Sequence, residues 1–233
     1  MKKKLFLFAL LTVCSVPVLS AKVNLTLDIG PVFTHFSNHF SRDNGTKSGR
    51  SANLGGVNIL LRGEFAKNFG VYGSADFSFG QSFWSKSSGR RFYRADLHDA
   101  NIVYAIDSQF GFFYAFKPAK NLEIMLGAGL GLGGNGHKRE YLNKAGNTET
   151  EKIHCTNIGG GFNVDVSYMF TKMLGIYGGI ADTFYAPVAV TYTKTSGKNN
   201  DVYASYSGSE TAKAGVGRFS NSVRLKAGMQ FKF

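Results

Sequence analysis

The sequence predicts an all-β protein, a closed antiparallel eight-stranded up-and-down transmembrane β-barrel. Three observations indicate this fold: apolar and polar residues alternate in eight segments, short and long connections alternate between the segments, and aromatic residues flank both kinds of connection. The composition agrees, because the 233 residues include 29 Gly, 21 Phe and 11 Tyr, and the mean hydropathy is −0.11. Beyond the N-terminus no apolar run approaches 18 residues, which excludes a helical membrane protein.

The first segment, residues 1–21, is predicted to be a cleaved signal peptide. Three lysines precede an apolar stretch at 5–19, and two small residues follow it. The alternative of an N-terminal membrane anchor is disfavoured by the short apolar run and by Pro17, and a lipoprotein site at Cys14 is a further alternative. Cleavage lowers the formal net charge from +12 to +9 by removing the three lysines. It also leaves Cys155 alone, so no intramolecular disulfide is expected.

The remaining residues, 22–233, form the predicted barrel domain. Its strands show a period of two, in which one face is apolar and the other is polar or charged. The seventh strand is the least regular, because its glycines leave the direction of each face ambiguous. The eight predicted strands are 23–33, 54–65, 69–80, 101–116, 122–132, 158–170, 174–184 and 219–233.

The solvent on each face follows from the residues that the face carries. The apolar faces are continuous over about ten residues, the length that a tilted strand needs to cross a bilayer. The opposite faces carry charges that a dry protein core would not accept unpaired. We therefore expect the apolar faces to meet lipid, and the acids to pair with three basic residues inside the barrel. This predicted interior charge network comprises Asp28, Arg62, Glu64, Asp76, Asp107, Glu123, Asp165, Arg224 and Lys226.

The connections predict the orientation of the barrel in the membrane. Three are short, at 66–68, 117–121 and 171–173. Short periplasmic turns and long extracellular loops are typical of outer-membrane barrels, so both termini are expected to be periplasmic. Phenylalanines beside the turns and beside the loops predict two aromatic girdles. The four long loops are predicted at 37–53, 81–99, 135–156 and 186–217.

Several segments resemble a known family. The segments 68–73 (NFGVYG) and 126–132 (LGAGLGL) and the ending MQFKF at 229–233 are similar to those of small outer-membrane barrels of the OmpX, OmpW and OmpA-barrel types. The resemblance implies the same fold in the outer membrane. It also implies that Phe231 and Phe233 form a signal recognised by the barrel assembly machinery.

The predicted function lies at the surface of the barrel. Eight strands leave an interior just wide enough for side chains to fill, so we expect paired charges to plug it. Basic residues outnumber acidic ones in the long loops and are interleaved with aromatic residues, which suits the phosphates of outer-membrane lipid or lipopolysaccharide. A merely soluble basic surface and an OmpW-like narrow channel for small solutes are the alternatives. The candidate surface-binding residues are Lys86, Arg90, Arg91, Arg94, Lys138 and Arg139.

The expected protein is a monomer without a cofactor, a metal site or a nucleic-acid partner, and it is not expected to be an enzyme. One element favours the enzyme alternative. The segment from His35 to Asn38 is similar to the His-x-Ser-Asn element of PagL-type lipid A deacylases, which implies His35 as base and Ser37 as nucleophile. A serine activated by histidine needs a third group to orient the imidazole. Where that family has a glutamate, this chain has Gly49 and Arg50.

Overall fold

The structure, a computed structural model, describes eight ranges of the chain: residues 23–41, 47–81, 84–87, 93–94, 100–142, 148–197, 208–212 and 219–233. Almost all of these residues lie in β-strands. Among them there is no helix with the length and apolar character required to span a membrane. The predicted signal peptide at 1–21 lies outside the described residues and stays a prediction.

Eight long strands and three short ones make up the described fold. The long strands are β1 (Asn24–Ser41), β2 (Lys47–Ala66), β3 (Phe69–Gly80), β6 (Ala100–Ala119), β7 (Leu122–Leu142), β8 (Thr148–Met169), β9 (Leu174–Gly197) and β11 (Ser220–Lys232). The short strands are β4 (Trp84–Ser87), β5 (Tyr93–Arg94) and β10 (Gly208–Ala212).

The long strands close into a barrel. Each is antiparallel to the next, and β1 pairs with both β2 and β11, which joins the first strand to the last. Closure matters because a sheet in hydrocarbon has no water for the unpaired backbone groups of an open edge. The predicted fold class is confirmed. The short strands extend the wall at one end, where β4 pairs with β2, β5 with β4, and β10 with β9.

The two ends of the barrel differ in their connections. At one end, here called the short-turn end, the links are residues 67–68, 120–121 and 170–173, and the chain enters β1 and leaves β11. Asn68 has a φ of 64°, in the left-handed region that Asn tolerates better than most residues, so it fits this tight turn. The opposite end, with the longer connections, is here called the long-hairpin end.

The alternation of the sequence determines which side chains face inward. Outward positions are apolar and exposed, as in Phe112 at 60% and Leu130 at 72%, whereas Arg224 inside is 0% exposed. The ambiguous seventh strand is resolved in β9, where Ile180 and Phe184 are exposed and Tyr185 is buried. Apolar groups outside and charged groups inside invert the arrangement of a water-soluble protein.

The strands at the long-hairpin end run further than the periodicity predicted. Residues 37–41 and 47–53 belong to β1 and β2, so the connection predicted at 37–53 is shorter. The same holds at 135–156, since β7 continues to Leu142 and β8 begins at Thr148. The predicted loop 186–217 contains the end of β9 and all of β10. These extensions carry polar residues on both faces, so they lack the apolar alternation that marks a membrane-spanning strand.

Two glycine pairs bring neighbouring strands unusually close. A Cβ atom on Gly111 would lie 2.1 Å from the carbonyl oxygen of Ala128, and one on Gly129 would lie 2.1 Å from that of Phe110. Gly30 and Gly228 meet across β1 and β11 in the same way. Only a residue without a side chain permits this approach, and such glycines bend the sheet as it closes.

Candidate functional site

The barrel interior holds all nine residues of the predicted charge network. Seven of them are buried, and Glu64 and Glu123 are partly exposed toward the short-turn end. Each lies on an inward position of its strand, because alternation places every second side chain inside. The seven buried members are Asp28, Arg62, Asp76, Asp107, Asp165, Arg224 and Lys226.

Two ion pairs lie at the middle of the barrel. Arg224 donates from Nη1 to Oδ2 of Asp76 at 2.8 Å, and its Nη2 donates to the hydroxyl of Thr183. Nζ of Lys226 lies 2.9 Å from Oδ1 of Asp165 and donates to Oδ1 of Asn163 at 2.7 Å. These four charged side chains are at most 5% exposed, and buried charges are tolerated when they are paired and hydrogen-bonded in this way.

A second group of ion pairs lies nearer the short-turn end. Arg62 contacts two acids, Oδ2 of Asp28 at 3.1 Å and Oε1 of Glu123 at 2.8 Å. Nζ of Lys117 donates a hydrogen bond to the carboxylate of Glu64 at 2.9 Å. The sequence had placed Lys117 in a predicted turn. The strand β6 continues to Ala119, and this places Lys117 on the wall.

Asp107 is held by hydroxyl groups. Tyr185 donates to its Oδ1 at 2.7 Å and Ser222 donates to its Oδ2 at 2.9 Å. A second tyrosine, Tyr177, donates to Oδ1 of Asn58 at 2.8 Å. Sequence reasoning missed both tyrosines as interior residues. Tyr177 lies on the predicted seventh strand, whose facing was ambiguous, and Tyr185 lies just past the predicted end of that strand, although β9 continues through it.

Two of the interior hydrogen bonds join opposite walls. The bond from Ser222 to Asp107 connects β11 with β6, which are four strands apart in a ring of eight. The side-chain amides of Asn38 on β1 and Asn135 on β7 also meet, and their strands are again four apart. Side chains therefore bridge the interior across its full width at two levels.

A small recess lies inside the long-hairpin end, and the bridging residues Asn38 and Asn135 are part of its lining. Polar groups at its rim include Arg50, whose Nη1 lies 2.7 Å from Nδ1 of His137. Its remaining lining is mainly apolar, with Phe36, Val103 and Ile153. The recess is thus lined by groups that already contact one another.

The predicted surface-binding residues are spread over several elements. Lys138 lies on β7 with its side chain outward and contacts Oε1 of Glu140 at 2.5 Å. Arg139 follows it on the same strand, while Lys86 and Arg94 lie on β4 and β5. The side chains of these last three, together with Arg90 and Arg91, lie outside the described part of the chain.

The histidines whose side chains the structure describes do not gather at one place. His35 faces outward on β1, and its Nδ1 lies 2.6 Å from Oδ1 of Asn53 on β2. His154 faces outward on β8 and contacts the hydroxyl of Tyr104 at 2.7 Å. His137 faces inward. Within the described ranges no group of three or more His, Cys, Asp or Glu residues is placed to hold a metal ion.

The two aromatic residues of the predicted assembly signal end the last strand. Phe231 pairs with Leu27 of β1 and with Leu174 of β9. Phe233 is 68% exposed, and its backbone N–H donates to the carbonyl of Leu25 at 2.9 Å. The C-terminal strand thus closes the barrel, and its role in assembly stays a prediction.

Solved structures share this architecture. The major outer membrane protein of Thermus thermophilus is similar with a TM-score of 0.57 and 11% identity, over 88% of this chain and 100% of that chain. Neisserial surface protein A matches with a TM-score of 0.46 and 16% identity, over 91% and 97%. Ail, the attachment invasion locus protein of Yersinia pestis, gives 0.43 and 12%, over 89% and 98%.

At such low identity the Thermus likeness shows the fold alone, and the other two add no argument. The resemblance to small outer-membrane barrels that the sequence predicted is confirmed at the level of fold. Among curated proteins, none matches this sequence. One family model, described as a domain of unknown function (DUF2715), matches residues 35–233, and the chain belongs to the DUF2715 family.

Proposed function

We propose that the protein is an integral outer-membrane barrel with a closed interior, and that it acts through its outer surface. The hydrogen bond from Ser222 to Asp107 carries the first part of this proposal, since it joins strands on opposite sides of the barrel. An apolar belt outside and paired charges inside support placement in a bilayer.

A narrow channel for small solutes is the competing function. A conducting path needs a continuous polar passage, and hydrogen bonds across the interior interrupt it at two levels. The central ion pairs add bulk on the short-turn side of the Ser222–Asp107 bridge, because Arg224 and Lys226 follow Ser222 on β11 and are almost completely buried. The contacts therefore favour a plugged barrel over an open one.

Planar-bilayer recording tests the closed interior. The refolded wild-type barrel is expected to show no stable unitary conductance. The double variant Asp107→Ala/Ser222→Ala removes the hydrogen bond across the barrel and is expected to produce measurable current. The matched control Glu64→Gln changes an acid at the short-turn end and should stay silent. Stable wild-type conductance that falls in Asp107→Asn would contradict the plug.

The outer surface is the remaining place for function. Loops on a rigid scaffold usually carry binding residues, and the basic residues predicted here lie on strands and connections of the long-hairpin end. We infer that this end is extracellular, that the termini are periplasmic and that the barrel works as a monomer. Protease added to intact cells should cut only at the long-hairpin end. Cleavage confined to the short-turn end, where the termini lie, would show that the orientation is the opposite one.

A second candidate function is hydrolysis of a lipid acyl ester on the outer wall. The observation that favours it is the 2.6 Å contact from Nδ1 of His35 to Oδ1 of Asn53. If Nδ1 carries the proton, the amide oxygen accepts it and Nε2 is left as the base, so Asn53 supplies the orienting group that the sequence comparison lacked. Ser37 lies two residues further along β1 on the same outward face.

The reaction would proceed in two steps. Oγ of Ser37 attacks the acyl carbonyl while Nε2 of His35 takes its proton, and the lipid alcohol leaves with that proton. Water then hydrolyses the acyl-serine and regenerates the hydroxyl.

Release of fatty acid from ester-containing lipid vesicles tests this candidate. Activity should disappear in Ser37→Ala and His35→Ala and persist in Ser51→Ala, which removes the hydroxyl directly opposite Ser37. Absence of fatty-acid release by the folded wild type would exclude the hydrolase.

A further inference from the structure

The outer wall near the long-hairpin end carries a pair of lysines on neighbouring strands. Lys138 of β7 and Lys152 of β8 are direct partners in the strand register, and both side chains face outward. Thr193 of β9 is the next residue in the same row. We propose that Lys138 and Lys152 bind the phosphate of an anionic lipid headgroup.

Within the described part of the chain, the two lysines of this row have one acidic contact between them. Like charges directly opposite each other on adjacent strands destabilise a sheet. Glu140 contacts Lys138 at 2.5 Å, but within the described part of the chain Lys152 contacts no acid. An anion placed between the two ammonium groups removes the repulsion and uses both as donors.

Side-chain contacts join the strands in the row next to the lysines. The hydroxyl of Tyr104 on β6 reaches Nδ1 of His154 on β8 at 2.7 Å, across the intervening strand. Gly136 lies beneath this bridge, and a Cβ atom there would come within 2.7 Å of the tyrosine hydroxyl. Nε2 of His154 also contacts the hydroxyl of Thr156 at 3.3 Å. The wall that presents the lysines is therefore joined by side-chain contacts spanning three strands.

A lipid fits this surface better than a free ion does. Ile102 lies beside Lys138 in the register and is 53% exposed, and Tyr104 and Ile106 follow it on the same face of β6 toward the short-turn end. Long lysine side chains reach down to the interface while their stems lie on apolar surface. One molecule with acyl chains and a phosphate can thus contact the apolar wall and both lysines together.

This inference rests on the proposed function, because it places the barrel in a membrane. Native mass spectrometry of the folded barrel in detergent, with equal phosphatidylglycerol and phosphatidylcholine added, tests it. We expect the wild type to retain phosphatidylglycerol about tenfold more often, the effect of one or two charge-assisted hydrogen bonds. In Lys138→Gln/Lys152→Gln the two lipids should be retained equally. Glu140→Gln should increase the preference, because it removes the competing carboxylate.

The matched control is Lys120→Gln/Lys172→Gln, which removes two exposed lysines at the short-turn end and should keep the preference. A preference that survives in the first double variant, or that falls equally in the control, overturns the proposal. So does displacement of the lipid by inorganic phosphate at the same concentration, since the ligand is then the free ion. If the first double variant does not fold, Lys152→Gln alone carries the test. Failure of the wild type to insert into phosphatidylcholine vesicles would instead refute the proposed membrane function.

Discussion

The ion pair between Arg224 and Asp76 gives the sharpest stability prediction. Both side chains are at most 1% exposed, and the contact is 2.8 Å. Asp76→Asn keeps the shape of the side chain but removes its negative charge. The buried guanidinium of Arg224 then keeps hydrogen-bond partners but loses its ionic partner. Breaking a buried pair in this way costs about 3–5 kcal/mol. This cost lowers the equilibrium constant for folding by about two to three and a half powers of ten.

Urea unfolding of the barrel in lipid vesicles, followed by intrinsic fluorescence, measures this loss. The control Glu64→Gln breaks the contact with Lys117, whose side chain is 36% exposed, and should cost at most about 1 kcal/mol. The double variant Asp76→Leu/Arg224→Met should recover most of the loss, since replacing a whole buried pair by apolar residues is often close to neutral. A cost below about 1 kcal/mol for Asp76→Asn would refute the reasoning.

Three further variants test other parts of the fold. Gly129→Val should prevent refolding, because the added Cβ would lie 2.1 Å from a backbone carbonyl oxygen. Gly160→Val should refold, because its added Cβ would lie 3.6 Å from its nearest neighbour. Equal yields of folded barrel from the two variants on a heat-modifiability gel would contradict this. Phe112→Arg should destabilise the barrel in vesicles by about 2–4 kcal/mol while Phe112→Leu costs much less, and equal urea midpoints would show that this position does not meet hydrocarbon. Deletion of Phe233 should reduce assembled barrel in cells without preventing refolding of the purified chain; unchanged assembly would remove its role as a signal.

The sequence predicted the strands well because lipid and a polar interior impose opposite demands on alternate residues. In β3 the predicted and observed bounds agree, because the contrast between the faces is clear there. Charged Asp76 faces inward, and its neighbours Ala75 and Phe77 face outward. Where strands leave the apolar belt this contrast ends. Lys152 and His154 both face outward on β8, in a region that the pattern assigned to a loop.

The partners inside the barrel were beyond the reach of the sequence. Which side chains meet depends on how far the strands are staggered when the sheet closes, and alternation carries no information on that stagger. Arg224 therefore meets Asp76 from 148 positions away in the chain, and Ser222 meets Asp107 across the barrel. The outward contact of His35 with Asn53 likewise depends on the register of β1 against β2.

The central claim is that the apolar faces meet hydrocarbon while the charges lie within. Spin labels on single cysteines at Phe112, Leu130 and Leu225, in a Cys155→Ala background, test it directly in lipid vesicles. Collisions with oxygen, which concentrates in lipid, should dominate at these three sites, and collisions with a water-soluble nickel complex should dominate at Lys120 on the short turn. Nickel collisions dominating at all four sites would mean that the apolar faces meet water, and the account would be wrong.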